Sequence, residues 1–218
     1  MAVIDQYNFI SNKVDKITNN SSIKKPEIVV ITKKINYSDI IPLINLGHIH
    51  YGESKVQEAI DKWKLNLVNN SNIKLHMIGR IQSNKVDQVC GFFDYIHSLD
   101  SLKLANAIYK FEEKNKKKVK IFVQVNIGDE AQKGGIAISE TKKFVDFCLK
   151  ELKLNIIGLM CIPPANQNSQ PFFNKLKHLA NECGVKELSM GMSNDYEQAL
   201  QSSATFLRIG SAIFGSRN

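Results

Sequence analysis

Lys33 closes the apolar run IVVIT (28–32), where a buried strand would emerge into solvent or into a ligand cavity. A lysine there either snorkels to water or sits in a mouth lined by hydrophobic groups. In the second setting desolvation disfavours the ammonium, and the neutral amine can attack a carbonyl to form a Schiff base. Lys34 is the rival, although strand alternation is expected to send the two side chains to opposite sides. Far along the chain, Gly191-Met192-Ser193 and Arg208-Ile209-Gly210-Ser211 combine glycines, hydroxyls and a guanidinium. Glycine lets backbone approach a ligand closely, and the hydroxyls of Ser193 and Ser211 can donate to anionic oxygens. A short helix beginning at Ser211 would aim free N–H groups at the same anion. The plainer alternative is that these glycines only permit tight turns.

Such residues need elements to bring them together. Short β-branched runs recur at Ile28–Thr32, Ile49–Glu53, Leu75–Gly79, Tyr95–Leu99, Ile121–Ile127, Ile156–Ile162, Leu188–Met192 and Phe206–Gly210. Helical patterns lie between them at Ser54–Leu65, Leu102–Lys114, Ser139–Leu152, Pro171–Cys183 and Asp195–Ser202. Several strands are continuously apolar, as expected for parallel strands covered on both faces. The pattern predicts a single α/β domain over 1–218, a (β/α)8 TIM barrel with an extra N-terminal helix over Asp5–Asn19. An open doubly wound sheet is the competing architecture, but no GxGxxG follows the first strand. In a barrel, functional residues gather at the C-terminal strand ends. Lys33, Ser54, the GRIQSNK segment (79–85), Asn126, Met160, Ser193, Arg208 and Ser211 all fall there. Asn84 and Lys85 are expected to line the mouth, with Lys85 near a helix start.

Composition narrows the classes. The 218 residues carry 29 Lys and Arg against 21 Asp and Glu, a net charge of +8, which suits an anionic partner. The densest basic run, KNKKKVK (114–120), follows a helical stretch and reads as a solvated helix end, with no nucleic-acid motif beside it. No apolar run reaches the roughly 20 residues a membrane span needs, and the N-terminus lacks a signal-peptide layout. Cys90, Cys148, Cys161 and Cys183 are widely spaced and form no metal-ligand cluster, which points to a reduced, cytoplasmic protein. His48 and His50 lack a third ligand nearby and are expected to be partly buried packing, not a metal site. Trp63 is expected to pack against the barrel.

A closed barrel makes strands one and eight neighbours, so Lys33 and the 191–193 and 208–211 segments would face one ligand. An aldehyde-bearing phosphate ester that reaches both is pyridoxal 5′-phosphate. At this point IVVITK (28–33), YGESKVQEAIDK (51–62), LHMIGRIQSNKV (75–86), VQVNIG (123–128), GLMCIP (158–163), LSMGMSNDYEQAL (188–200) and RIGSAIFGSR (208–217) resemble the pyridoxal-phosphate homeostasis proteins. Their barrel is similar to the N-terminal domain of fold-type III alanine racemases. The resemblance implies a Schiff base between the cofactor and Lys33, with phosphate contacts from Ser193, Arg208, Gly210 and Ser211. Ser54 stands where the family usually has Asn beside the cofactor. Thr32 and Ser211 replace the usual Ser and Thr while keeping hydroxyls, and Cys161 is a packing change.

The resemblance further implies vitamin B6 homeostasis, with the cofactor carried or buffered and not turned over. Related racemases add a C-terminal β-domain supplying a tyrosine base, and none is expected after Asn218. Racemisation requires an acid and a base on opposite faces of the substrate carbon, and only Lys33 is evident. The alternative is a racemase-like amino-acid enzyme dependent on the same cofactor. Expected partners are pyridoxal 5′-phosphate and apo-enzymes that use it, with the protein acting as a monomer.

Overall fold

Eight short strands pair in parallel and close on themselves in the order β1-β2-β3-β4-β5-β6-β7-β8. They are β1 (Glu27–Ile31), β2 (His50–Glu53), β3 (Lys74–Met77), β4 (Tyr95–Leu99), β5 (Lys120–Val125), β6 (Ile156–Cys161), β7 (Glu187–Met192) and β8 (Phe206–Ile209). Each lies within two residues of its sequence-expected bounds. The computed structural model describes residues 2–21, 24–68, 70–130 and 132–215; Ser216 and Arg217, at the end of the RIGSAIFGSR motif, lie outside the described residues. β8 pairs with β1 in the register Val29↔Arg208 and Val30↔Ile209, which closes the ring and sets Arg208 beside the strand leading to Lys33.

Helices cover the outside: α1 (Val3–Ser21), α2 (Tyr37–Asn45), α3 (Val56–Trp63), α4 (Val86–Phe92), α5 (Leu102–Asn115), α6 (Ile138–Lys150), α7 (Gln170–Glu182), α8 (Tyr196–Gln201) and the short α9 (Ser211–Phe214). Two of them, α2 and α4, lie outside the helical segments expected from sequence. Pro42 inside α2 breaks the sequence template for a helix. The seven-residue α4 is too short for a periodic signal and follows a 3-10 turn at Ser83–Lys85. Lys85 caps α4, as expected for a residue near a helix start.

Burial forms two layers. Between sheet and helices lies a continuous apolar shell that includes Trp63, Phe93 and Phe173, all fully buried. Inside the barrel, Val29, Ile31, Tyr95, Phe122, Met160 and Phe206 form a separate cluster. Side chains therefore fill the lumen, as the inward positions of a small barrel require. The basic run ends a helix as expected: α5 stops at Asn115, and Lys116 takes the left-handed cap position at φ 53°. Lys118 then pairs with the buried Glu112 carboxylate at 2.8 Å. Among the described residues, no helix is long and apolar enough to cross a membrane.

Candidate functional site at the C-terminal mouth of the barrel

The strand C-termini open into a cavity of about 860 Å³, and Lys33, Ser54, Ser193, Arg208, Gly210 and Ser211 all border it. Residues from both ends of the sequence meet there because β8 pairs with β1. Ile31, Ile78, Met160 and Ile162 give the same cavity apolar walls. Asn84 and Lys85, expected at the mouth, are not part of its lining, because the 3-10 turn carries them away from the strand ends.

Lys33 sits on a fastened turn. β1 ends at Ile31, Thr32 N–H donates to the Gly52 carbonyl at 2.9 Å, and Ile35 N–H closes back on the Thr32 carbonyl at 3.0 Å. Behind the turn, the buried Glu53 Oε1 accepts from Thr32 Oγ1 at 2.7 Å, Lys62 Nζ at 2.9 Å and Trp63 Nε1 at 3.0 Å. Lys62 Nζ also donates to the Thr32 carbonyl at 2.6 Å. The neighbouring lysines are separated by this turn and not by strand pleating: Lys34 takes φ 60° and is exposed, while Lys33 is half-buried on the cavity wall. Strand alternation, expected to split the two lysines, does not apply to them, since β1 has ended before either one. Trp63 packs against the barrel as expected and adds a hydrogen bond its sequence context did not reveal.

Across the mouth, Ser193 Oγ accepts the Gly210 N–H at 3.3 Å and the Ala212 N–H at 3.1 Å, which leaves its own hydrogen to donate. Gly191 lets the chain turn there at φ 86°, and a Cβ on it would meet the Ala199 Cβ at 2.5 Å. Asp195 braces the turn by accepting from Met192 N–H at 2.6 Å and from Ser169 Oγ at 2.9 Å. Ser211 is exposed at the rim. Arg208 differs from these: it is 5% exposed, and its guanidinium reaches sideways to Ser189 Oγ at 2.8 Å and the Cys161 carbonyl at 2.9 Å. Burial pulls its pKa below the ordinary guanidinium value, yet an arginine remains a cation and a pure donor. Ser54 is half-buried, and its carbonyl would lie 2.1 Å from a Cβ on Gly79, so that glycine allows the β2 and β3 ends to touch.

Two further contributors escaped the sequence argument. Lys133, from the loop after β5, borders the cavity and donates to the Pro163 carbonyl at 3.0 Å. Glu53 organises the Lys33 turn from behind, which the YGE motif alone did not disclose. Chemically, the cavity offers an amine for a carbonyl, paired hydroxyls for an anion, and apolar walls for a flat ring. Burial pushes the Cys161 thiol up to about 12, so it behaves as packing.

The family model for the alanine racemase N-terminal domain matches residues 8–218. The chain is 37% identical to the pyridoxal phosphate homeostasis protein of Aquifex aeolicus, over 79% of each chain. It is 30% identical to the protein of that name in Haemophilus influenzae, over 100% of this chain and 97% of the other. The structure of PipY from Synechococcus elongatus with pyridoxal phosphate bound superposes with a TM-score of 0.83 at 27% identity, over 93% of this chain and 99% of that one. The barrel, its register and these relatives agree: the chain belongs to the alanine racemase N-terminal domain family and, within it, to the pyridoxal phosphate homeostasis proteins.

Proposed function

We propose that this protein binds pyridoxal 5′-phosphate covalently through Lys33 and carries or buffers it in vitamin B6 homeostasis without turning over a substrate. The carrying observation is that the Lys33 amine and the Ser193 and Ser211 hydroxyls open on one cavity from opposite ends of the sequence. The donor set fits the cofactor. The Lys33 amine would hold the cofactor through its aldehyde, the chemistry that the group supplies when bound. Ser193 and Ser211 would hold the phosphate, and Ile31 and Met160 would supply apolar walls for the ring. Arg208 supplies its remaining N–H groups from the cavity floor, and Ser54 adds a hydroxyl where the family usually has Asn. The cofactor named in the PipY structure and the shared name of the relatives support the same assignment.

The absence of turnover is supported by the cavity's titratable side chains. Besides Lys33 they are Lys133, Asp195 and Arg208, and each of these three is already held by protein partners. Among the described lining residues, every acid or base other than Lys33 is thus committed to a protein partner. The open mouth suits release to apo-enzymes, and the four unpaired cysteines suit a reduced, cytoplasmic setting. The test is addition of pyridoxal 5′-phosphate to the purified protein, followed by absorbance. An imine band that vanishes in Lys33→Ala is expected, and no band in the wild type overturns the assignment. Robust Lys33-dependent turnover of D- or L-alanine would instead make the protein a racemase-like enzyme.

A further inference from the structure

Hydrogen bonds run the length of the barrel lumen, from one mouth to the other. Arg208 Nη1 donates to Ser189 Oγ at 2.8 Å, and Ser189 Oγ lies 2.7 Å from His97 Nδ1. His97 Nε2 is 2.9 Å from His76 Nδ1, and His76 Nε2 is 2.9 Å from His50 Nδ1. His50 Nε2 then faces the Glu27 carboxylate at 3.4 Å. Arg208 borders the cofactor cavity, whereas His50 and Glu27 border a second cavity of about 530 Å³ at the N-terminal strand ends. Ser189, His97 and His76 are fully buried. The histidines come one each from β2, β3 and β4.

The arginine end gives this chain a direction. A guanidinium can only donate, so Ser189 Oγ accepts from Arg208 and passes its own hydrogen to His97 Nδ1. His97 must then carry its hydrogen on Nε2, which His76 Nδ1 accepts. The same step repeats to His50, whose Nδ1 accepts, so a neutral His50 keeps its hydrogen on Nε2, 3.4 Å from the Glu27 carboxylate. All three histidines are therefore Nε2–H tautomers. Burial pushes His76 and His97 well below the usual histidine pKa, which keeps the imidazoles neutral as this pattern requires.

We propose that Ser189, His97, His76 and His50 are positioning residues that act as one directed relay to hold the Arg208 guanidinium in a single orientation at the cavity floor. Packing alone does not demand histidine here. His76 stacks on Tyr95 at 4.1 Å and His97 on Phe122 at 4.4 Å, contacts that phenylalanine rings would also make. Ring nitrogens matter only if both of them are used. The relay's effect on the cofactor rests on the function proposed above, whereas its hydrogen-bond direction does not.

Two measurements test it on the full chain: nitrogen-15 imidazole NMR without cofactor, and the absorption spectrum and release rate of bound pyridoxal 5′-phosphate. The expected wild-type result is Nε2–H at His50, His76 and His97. Ser189→Ala should disturb the His97 signals, shift the bound-cofactor spectrum and speed release roughly tenfold, about the effect of one hydrogen bond from a charged group. Ser189→Thr, which keeps the hydroxyl, should restore all three. If Ser189→Ala does not fold, His97→Phe preserves the stacking and should give the same spectral shift and faster release. An Nδ1–H tautomer at His76 or His97, or an unchanged spectrum and release rate in the variant, overturns the proposal. A wild type that takes up no cofactor refutes the proposed function alone, and the NMR result then decides the relay.

Discussion

Lys62 and Glu53 form an ion pair of 2.9 Å directly behind the turn that presents Lys33, with the Glu53 side chain wholly buried and that of Lys62 9% exposed. The same ammonium donates to the Thr32 carbonyl, so one side chain neutralises the carboxylate and fastens the turn. Removing one partner of a buried pair leaves an uncompensated charge, which costs about 3–5 kcal/mol. Lys62→Met should therefore lower unfolding stability by about that amount in urea titrations, and its retained cofactor should dissociate faster. Wild-type stability in Lys62→Met would show that the pair does not anchor the turn.

Acid should weaken the fold through its buried histidines. Burial lowers His48 and His50 from the ordinary 6.5 to about 4, and pushes His76 and His97 well below 6.5. Between the folded and unfolded values the unfolded chain binds more protons than the folded one, so stability rises with pH across that window. The stabilisation is complete above pH 6.5 and is lost as the pH falls from 6.5 towards 4. Urea midpoints measured across this range should fall steeply, and a flat profile would contradict the neutral, buried assignment.

Much of this was legible in the sequence, for physical reasons. Parallel strands buried on both faces leave uninterrupted apolar runs such as IVVI and IFV, and barrel closure follows from eight strands alternating with helices. The six expected site residues meet because the ends of barrel strands converge whatever their distance in sequence. What stayed hidden depends on tertiary burial. Glu53 looks like any polar strand-end residue until Trp63 and Lys62 close over it. In the sequence His50 reads as packing, and nothing local marks His76 and His97. A signal existed, since consecutive strands each carry one histidine, but their alignment appears only when the staggered register stacks them in the lumen. Strand alternation and the family resemblance both favour Lys33 over Lys34, but in the structure it is a turn, with Lys34 itself left-handed, that sets them apart.

The phosphate end can be tested apart from the aldehyde end. Hydrogen bonds to a charged group contribute about 1.5–3 kcal/mol, or roughly 10- to 100-fold in affinity. Ser193→Ala should weaken pyridoxal 5′-phosphate by that factor while leaving pyridoxal, which lacks the phosphate, nearly unchanged. Equal losses for both ligands in calorimetric titration would place the phosphate elsewhere.

The central claim is that Lys33, and not its neighbour, anchors the cofactor. Borohydride reduction of the protein loaded with pyridoxal 5′-phosphate, followed by intact-mass analysis and peptide mapping, reads this directly. One reduced cofactor per chain on Lys33, lost in Lys33→Ala and retained in Lys34→Ala, is the predicted result. An adduct on Lys34 or Lys133 with Lys33 unmodified would contradict it.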